Sequence, residues 1–428
     1  MKSRTVLTLA AIAGVTALVG CSGAQGDPAA SGGEVTMTFW HNSTTGDGKA
    51  YWEDRVAAFE AANEGVTIEI QSIQNEDMDG RLQTAVNSGD MPDIFMARGG
   101  GKLADIVGAG AVRDLTDLIS EDVSSDYGEG VFSAFTVEGA IYGMPVAVLP
   151  GGIFYSEDLF ADAGIDGTPT TMSELDDAVG ALEQSGVEPI ALGGMAAWPA
   201  AHWYYFFALR ECSQEVMESI ASTLDFSDAC WLAAGEDLAG LAATEPFNEG
   251  FLTTAAQEGA GSSAGLIANH QAGMELMGGW NVGVIGGLTP DQQPLPDLGW
   301  FPFPEVEGGA GSPSAMMGGV DGYSCANDAP TACEAFLNFI ASPESQAGYA
   351  EAFDTIPASS EAQTAVEDPA LEPLVEAYES ADYVVVWLDT LLGQNIGNSL
   401  NTAVVELLAG NGTPQGIVDA VTTAAQRG

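Results

Sequence analysis

Short apolar alternations separated by helical spacings recur along this chain, and no other feature constrains its fold as strongly. Val35 to Trp40 reads VTMTFW, the two-residue period of a half-buried strand. Trp52, Val56 and Phe59 then recur at the spacing of one helix face. Val66, Ile68 and Ile70 alternate again, Met78, Leu82 and Val86 mark a second helix, and Ile94-Phe95-Met96 a third strand. Strands that alternate with helices pair in parallel, because a parallel neighbour needs a crossover connection. The rhythm restarts at Gly152 to Tyr155. Thr171-x-x-Glu174 opens a helix as a capping box, and Pro189 to Leu192 follows as a strand. Thr331-x-x-Glu334 opens another helix, Ser342-Pro343 caps the next with Pro at its first position, and Thr413 to Gln426 forms a last short one. The pattern predicts an α/β protein built of two successive units. Ligands of open α/β sheets bind at the carboxyl ends of the strands.

The first residues read differently. Lys2 and Arg4 precede a small and apolar run from Val6 to Val19, which ends Leu18-Val19-Gly20-Cys21. That run falls short of the roughly 20 apolar residues of a membrane-spanning helix, and it fits a signal peptide over residues 1–20. Small residues before a cysteine suit cleavage at a lipid-modified Cys21. Residues 22–33, SGAQGDPAASGG, have the composition of a flexible tether. The expected location is the outer face of the cell membrane, with a soluble domain on a lipid anchor.

Composition narrows the partners. The formal charge is −51, with 61 acidic residues against 10 Lys and Arg, which disfavours nucleic acid and anionic lipid headgroups. With 46% hydrophobic residues the chain is no acidic disordered tail. Of 5 cysteines, Cys21 is assigned to lipid. Cys212, Cys230, Cys325 and Cys333 remain, an even number that suits an oxidising compartment and permits three pairings. Local closure favours Cys212–Cys230 and Cys325–Cys333. No C-x-x-C spacing supports a metal site, and no cofactor is implied.

Catalytic motifs fail on inspection. Gly261-Ser262-Ser263-Ala264-Gly265 matches G-x-S-x-G, but a polar, small-residue stretch precedes it where a nucleophile elbow needs a buried strand. Asn75-x-Asp77-x-Asp79-Gly80 imitates half a calcium loop, yet its twelfth position is Val86 where a bidentate Glu belongs. Arg98 to Lys102, RGGGK, lacks the first glycine of a phosphate-binding loop.

Several stretches resemble the extracellular solute-binding proteins of family 1, the sugar receptors of ABC importers. They are Thr38 to His41, Phe59 to Asn63, Ser88 to Phe95, Tyr142 to Pro145, Tyr155 to Phe160 with Pro169-x-Thr171, Gly278-Gly279-Trp280, and Ala335 to Tyr349 followed by Ile356-Pro357-Ala358. The tail, Tyr383 to Thr390 and Asn395 to Gly410, looks closest to receptors for raffinose-type galactosides or xylobiose. The resemblance implies a two-lobed, periplasmic-binding-protein-like fold. Each lobe is a mostly parallel sheet flanked by helices, and hinge crossings join the two. One lobe is placed at 34–145 plus 283–319, the other at 146–282 plus 320–428. It implies a monomeric receptor, not an enzyme, that closes on a sugar and docks on two permease subunits. A polyol receptor and a lipid-anchored hydrolase using Ser263 are the rivals.

A sugar needs aromatic rings for its C–H faces and carboxylates or amides for its hydroxyls. Trp198, Trp203, Trp280 and Trp387 are candidate stacking rings, each with a buried-core alternative. Trp387 and Asp389 are expected on one side of a strand by alternation. Asp321 and Tyr323 lie in the glycine-rich segment Gly318 to Tyr323, which the resemblance makes a hinge crossing at the cleft. His41 and Asn42 follow the first strand and Arg98 the third, where loops meet ligand. Asp93 reads as structural and Tyr155 as a weaker contact. Maltose-type receptors carry an aromatic residue in the helix matching Ile396 to Val404. That stretch is here small and polar, so Trp387 is expected to take over the role.

Overall fold

The computed structural model describes residues 34–427 except Glu367; the expected signal peptide, Cys21 and the expected tether lie outside the described residues. Val66–Ser72, Val35–His41 and Ile94–Arg98 form a parallel set in that order, with Val35 opposite Val66 and Phe39 opposite Ile94. The intervening helices are Gly46–Ala62, which buries Tyr51, Trp52, Val56 and Phe59, and Asn75–Ser88, which buries Met78, Leu82 and Ala85. Gly89 ends the second helix at φ 71°, a left-handed conformation that a Cβ would penalise.

Two long strands carry the chain between two of its three cores. Met144–Ser156 and Met316–Cys325 run antiparallel, with Tyr323 opposite Met144 and Gly318 opposite Pro150. One end of the pair joins the first set, where Asp321 to Cys325 face Arg98 to Ile94. The other end carries Ala272–Gly278, Leu298–Phe301 and Val384–Val386, with Glu188–Ile190 outside. The ten-stranded sheet is therefore mixed: helix-linked neighbours lie parallel, and the crossing strands add antiparallel pairs. Gly152 to Tyr155, where the pattern was expected to restart, continues Met144–Ser156 without a break.

The cores divide the chain differently from the expected lobe boundaries. Residues 283–319 were placed with the N-terminal lobe, but Leu298–Phe301 pairs with Ile153 to Ser156, and Phe301, Phe303 and Met317 share a core with Trp203, Trp231 and Leu276. Conversely Tyr323, Cys325, Phe336 and Leu337 pack with Met37, Phe39 and Trp52. The reason lies in the crossing strand Met316–Cys325: its direction takes the chain out of the second core and into the first. The return to the second core comes later, at Tyr383, Val385 and Trp387.

Local signals mostly hold. Thr171 and Glu174 form a reciprocal capping box, and Ser342 and Thr413 accept from backbone N–H groups of the first turn. Thr331 does not cap Ala332–Ile340, because its own φ −61° and ψ −18° are already helical. The G-x-S-x-G segment forms a helix start rather than a loop: Ser262 caps Ser263–Ala268, and the buried Ser263 hydroxyl donates to the Ala256 carbonyl at 3.1 Å. Asp93 is structural, accepting from the Thr38 backbone N–H at 2.7 Å and from its hydroxyl at 3.1 Å. No described helix is long and apolar enough to cross a membrane.

Both expected disulfides are present. Cys212–Cys230 joins the ends of Trp198–Glu211 and Ala229–Ala242, with Cα atoms 5.0 Å apart. Cys325–Cys333 ties a crossing strand to the next helix at 6.0 Å. Arg210, 2% exposed, donates to the carbonyls of Phe303, Pro304, Ser312 and Ala315, and burial pushes its pKa down to about 10. It pins the 302–315 connection without a carboxylate. The Cys212→Ala/Cys230→Ala variant removes a cross-link spanning 18 residues. Urea unfolding should then show a loss of about 3 kcal/mol.

Candidate functional site

Where the crossing strands pass between the cores they carry glycines. Gly151 and Gly319 lie on the two strands, and a Cβ on either would run into the Trp387 indole, at 2.8 Å from Cδ1 in the case of Gly319. The ring thus lies flat against bare backbone. Trp387 does not continue a strand, as alternation predicts. Its N–H makes a last ladder bond to the Gly318 carbonyl, and its own carbonyl then accepts from Thr390 and Leu391. The strand ends at Val386 and the helix Leu388–Leu391 begins, so Asp389 is positioned by a helical turn.

Four rings meet at this point. His202 stacks on Trp387 at 4.2 Å with 12° between planes. Trp280 stands edge-on to Trp387 at 5.9 Å, Trp198 lies 6.1 Å from Trp280, and Trp198 and His202 are 5.1 Å apart. Trp198 and Trp280 are half-buried. Gly278 makes room for Trp280, whose ring occupies the place of its missing Cβ. The ring nitrogens Trp198 Nε1, His202 Nδ1, Trp280 Nε1 and Trp387 Nε1 are all buried without a hydrogen-bond partner. Leaving one such group unsatisfied costs about 1–3 kcal/mol. Burial pushes the His202 pKa down to about 4, against the pull of Asp389, so the imidazole is neutral at pH 7.

Charged groups border the rings. Asp389 Oδ2 accepts from Asn401 Nδ2 at 3.3 Å and lies 3.5 Å from Lys102 Nζ. The Tyr205 hydroxyl orients Asn401 by donating to its Oδ1. Burial opposes the charge on Asp389, but Lys102 and the hydrogen bond from Asn401 outweigh it and hold the carboxyl below its usual range. Asp321 is opposite Arg98 in the sheet. Burial raises its pKa while Arg98 pulls the other way, and its carboxylate makes no hydrogen bond among the described residues. Arg98 donates to Asp79 Oδ1 and Asn75 Oδ1, each at 2.5 Å, and Lys102 donates to Asp79 Oδ2 at 2.9 Å. Asn42 Nδ2 donates to Asn75 Oδ1 at 3.3 Å.

The structure thus gathers Trp198, Trp280, Trp387, Asp321, Asp389 and Arg98, with Asn42 at the margin. It removes three expected residues. Trp203, 1% exposed, packs on Phe247 and Phe303 because the helix Trp198–Glu211 turns that face into the second core. Tyr323 shares its side of the strand with Asp321. Two residues further on, however, it has entered the first core, where Trp52 and Phe39 cover its ring at 4.8 and 5.2 Å. His41 is wholly buried against Phe39 and Trp52, its Nδ1 accepts from the Ser43 N–H, and desolvation lowers its pKa to about 4. Tyr155 packs on Phe160 and Phe301.

Sequence reasoning missed His202, Lys102, Asp79, Asn75 and Asn401. Asn75 and Asp79 fall one helical turn apart, as Arg98 and Lys102 do across a strand end. Two acceptors facing two cations at matched spacing were the available signal, hidden inside motifs rejected for calcium and phosphate. The residue after Trp280, Asn281, holds a buried acid. Glu275, 1% exposed, accepts from Asn281 Nδ2 at 2.8 Å, and burial raises its pKa to about 7. Stability from a neutral Glu275 is full below its ordinary pKa of 4.5 and lost as pH rises through about 7. Thermal melts of Glu275→Gln should show a shallower fall over that window than the parent protein.

The family description "Bacterial extracellular solute-binding protein" matches residues 42–347, more than half of the chain. A putative binding protein of Brucella abortus is 27% identical over 189 residues, 44% of this chain and 45% of that protein. The diacetylchitobiose binding protein of Streptomyces coelicolor is 27% identical over 218 residues, 49% of this chain and 48% of its own. The match thus spans about half the length of these curated relatives. Among solved structures, a chitin oligosaccharide binding protein superposes with a TM-score of 0.83 at 26% identity, covering 92% of this chain and 98% of that one. With its two-lobed α/β fold, its paired crossing strands and the ring cluster beside them, the chain belongs to the bacterial extracellular solute-binding proteins.

Proposed function

We propose that the protein captures a short oligosaccharide between its lobes and delivers it to an ABC importer. The convergence of Trp198, Trp280 and Trp387 beside the carboxyls of Asp321 and Asp389 carries this reading. Indole N–H groups only donate, whereas Asp321 and Asp389 as carboxylates only accept. One ligand satisfies both sets if its polar groups can donate and accept, and hydroxyls do both. The same indoles offer flat apolar faces to the C–H side of a sugar ring. Ligand contacts from both lobes would favour the closed form over the open one by population shift.

The reading extends to the rest of the chain. Residues 1–20 act as an export signal, Cys21 carries the lipid that holds the receptor at the outer face of the membrane, and the receptor works as a monomer against two permease subunits. It binds without turnover. The Ser263 hydroxyl, the nucleophile of the rival hydrolase reading, is buried and donates to a backbone carbonyl. Receptors for raffinose-type galactosides or xylobiose and the chitobiose-binding relative define the sugars to try first.

Titration calorimetry against xylobiose, raffinose, N,N′-diacetylchitobiose, isomaltose, maltose, trehalose and inositol tests the function. At least one sugar should bind at micromolar affinity or tighter, with no product formed. Folded protein giving no heat with any of them would sink the proposal, and heat from inositol alone would make it a polyol receptor. Asp321→Asn should weaken binding by about tenfold or more, the worth of a hydrogen bond to a charged group.

A further inference from the structure

We propose that Lys102 is a positioning residue that holds the empty receptor closed, by occupying the carboxylate of Asp389 across the seam between the lobes. This rests on reading Asp389 as a sugar acceptor. Lys102 stands in the first turn of the helix Gly101–Gly108, whose Leu103 belongs to the first core. Asp389 stands between Leu388 and Leu392 of the second core. The ammonium therefore bridges two bodies: it donates to Asp79 Oδ2 at 2.9 Å in its own lobe and lies 3.5 Å from Asp389 Oδ2 in the other. Among the described residues, no other Lys or Arg pairs with a carboxylate of the opposite core.

Burial gives the bridge weight. The side chains of Lys102 and Asp389 are each 13% exposed, so their attraction is stronger than that of a pair in open water. Arg98 cannot substitute for Lys102, since Asp79 and Asn75 already hold its guanidinium. The surrounding backbone is shaped for contact. Gly100 and Gly101 lack the Cβ atoms that would press on Leu391 Cα at 3.3 Å and on Gly393 N at 2.5 Å. Beside them, the Gln394 N–H crosses the seam to Asp105 Oδ2 at 3.1 Å. A sugar hydroxyl seeking Asp389 must compete with Lys102, so the same ammonium both pre-closes the empty site and tempers its affinity.

The Gln394 amide reports on this seam directly, because its acceptor belongs to the other lobe. Hydrogen exchange of the full chain without sugar, followed at Gln394, tests the proposal independently of whether any sugar binds. Lys102→Met, similar in length and uncharged, should speed Gln394 exchange by about fivefold, the upper range for a weakly exposed ion pair. Exchange along Ile94–Arg98 should stay unchanged. Raising salt from about 0.01 M to about 1 M should speed Gln394 exchange in the parent protein and not in Lys102→Met. Lys102→Arg should restore protection. Equal Gln394 exchange in parent and Lys102→Met would overturn the proposal, leaving the contact as a permanent pivot. So would acceleration spread equally to the Ile94–Arg98 amides, which marks a general loss of stability.

Discussion

Backbone hydrogen bonds between Met144–Ser156 and Met316–Cys325 tie two separately packed cores into one sheet. Met316–Cys325 pairs with Ile94–Arg98 at one end and Val384–Val386 at the other, and Met144–Ser156 carries Ala272–Gly278 at its far end, so the site residues are positioned relative to this ladder. Its register shifts between Asp321 and Gly322, where a bulge bends the pair close to the seam. The glycines at 151 and 319 leave the second-core side of the ladder bare, and Trp387 lies on it. A bend of the ladder must move that indole, and with it the stacked imidazole of His202.

The site is dry on one side and charged on the other. The ring cluster contributes donors that nothing in the protein answers, while the seam contributes carboxylates and two cations that largely answer each other. Unsatisfied donors lower the stability of the ligand-free protein, and that deficit becomes binding energy when an oxygen-rich ligand arrives. Paired charges work the other way. They make the empty site tolerable and oblige a ligand to displace something. Selectivity comes from the balance of the two, since a ligand has to supply acceptors to the indoles and donors to the carboxylates at once.

Local periodicity made the strands and helices legible, along with the caps Thr171 and Ser342 and both disulfides, because those depend on residues close in sequence. Trp280 and Asp321 were legible for the same reason: neighbouring glycines announce close approach. Trp203 and Tyr323 were not, since their burial depends on Phe303 and Trp52, partners far away in sequence that periodicity cannot locate. The lobe boundaries failed for a related reason. One strand serves both cores, and nothing in VDGYSC signals where it leaves one and enters the other. His202 opens the run of rings from His202 to Phe207, a pattern that by itself reads as core. Its place against Trp387 exists only once the chain has crossed between the lobes and returned.

Arg210 places a full positive charge inside a protein whose surface is overwhelmingly negative, and surrounds it with carbonyl oxygens alone. An ion pair at that position would weaken with every rise in ionic strength, whereas buried carbonyl dipoles sit where mobile ions do not reach. The 302–315 connection leads directly into the crossing strand Met316–Cys325, so its anchorage sets where that strand begins. The anchorage of that connection is therefore independent of the salt around it, even though the surface charge and the Lys102–Asp389 contact are not. The first residues of the crossing strand keep their place in dilute water and in brine alike.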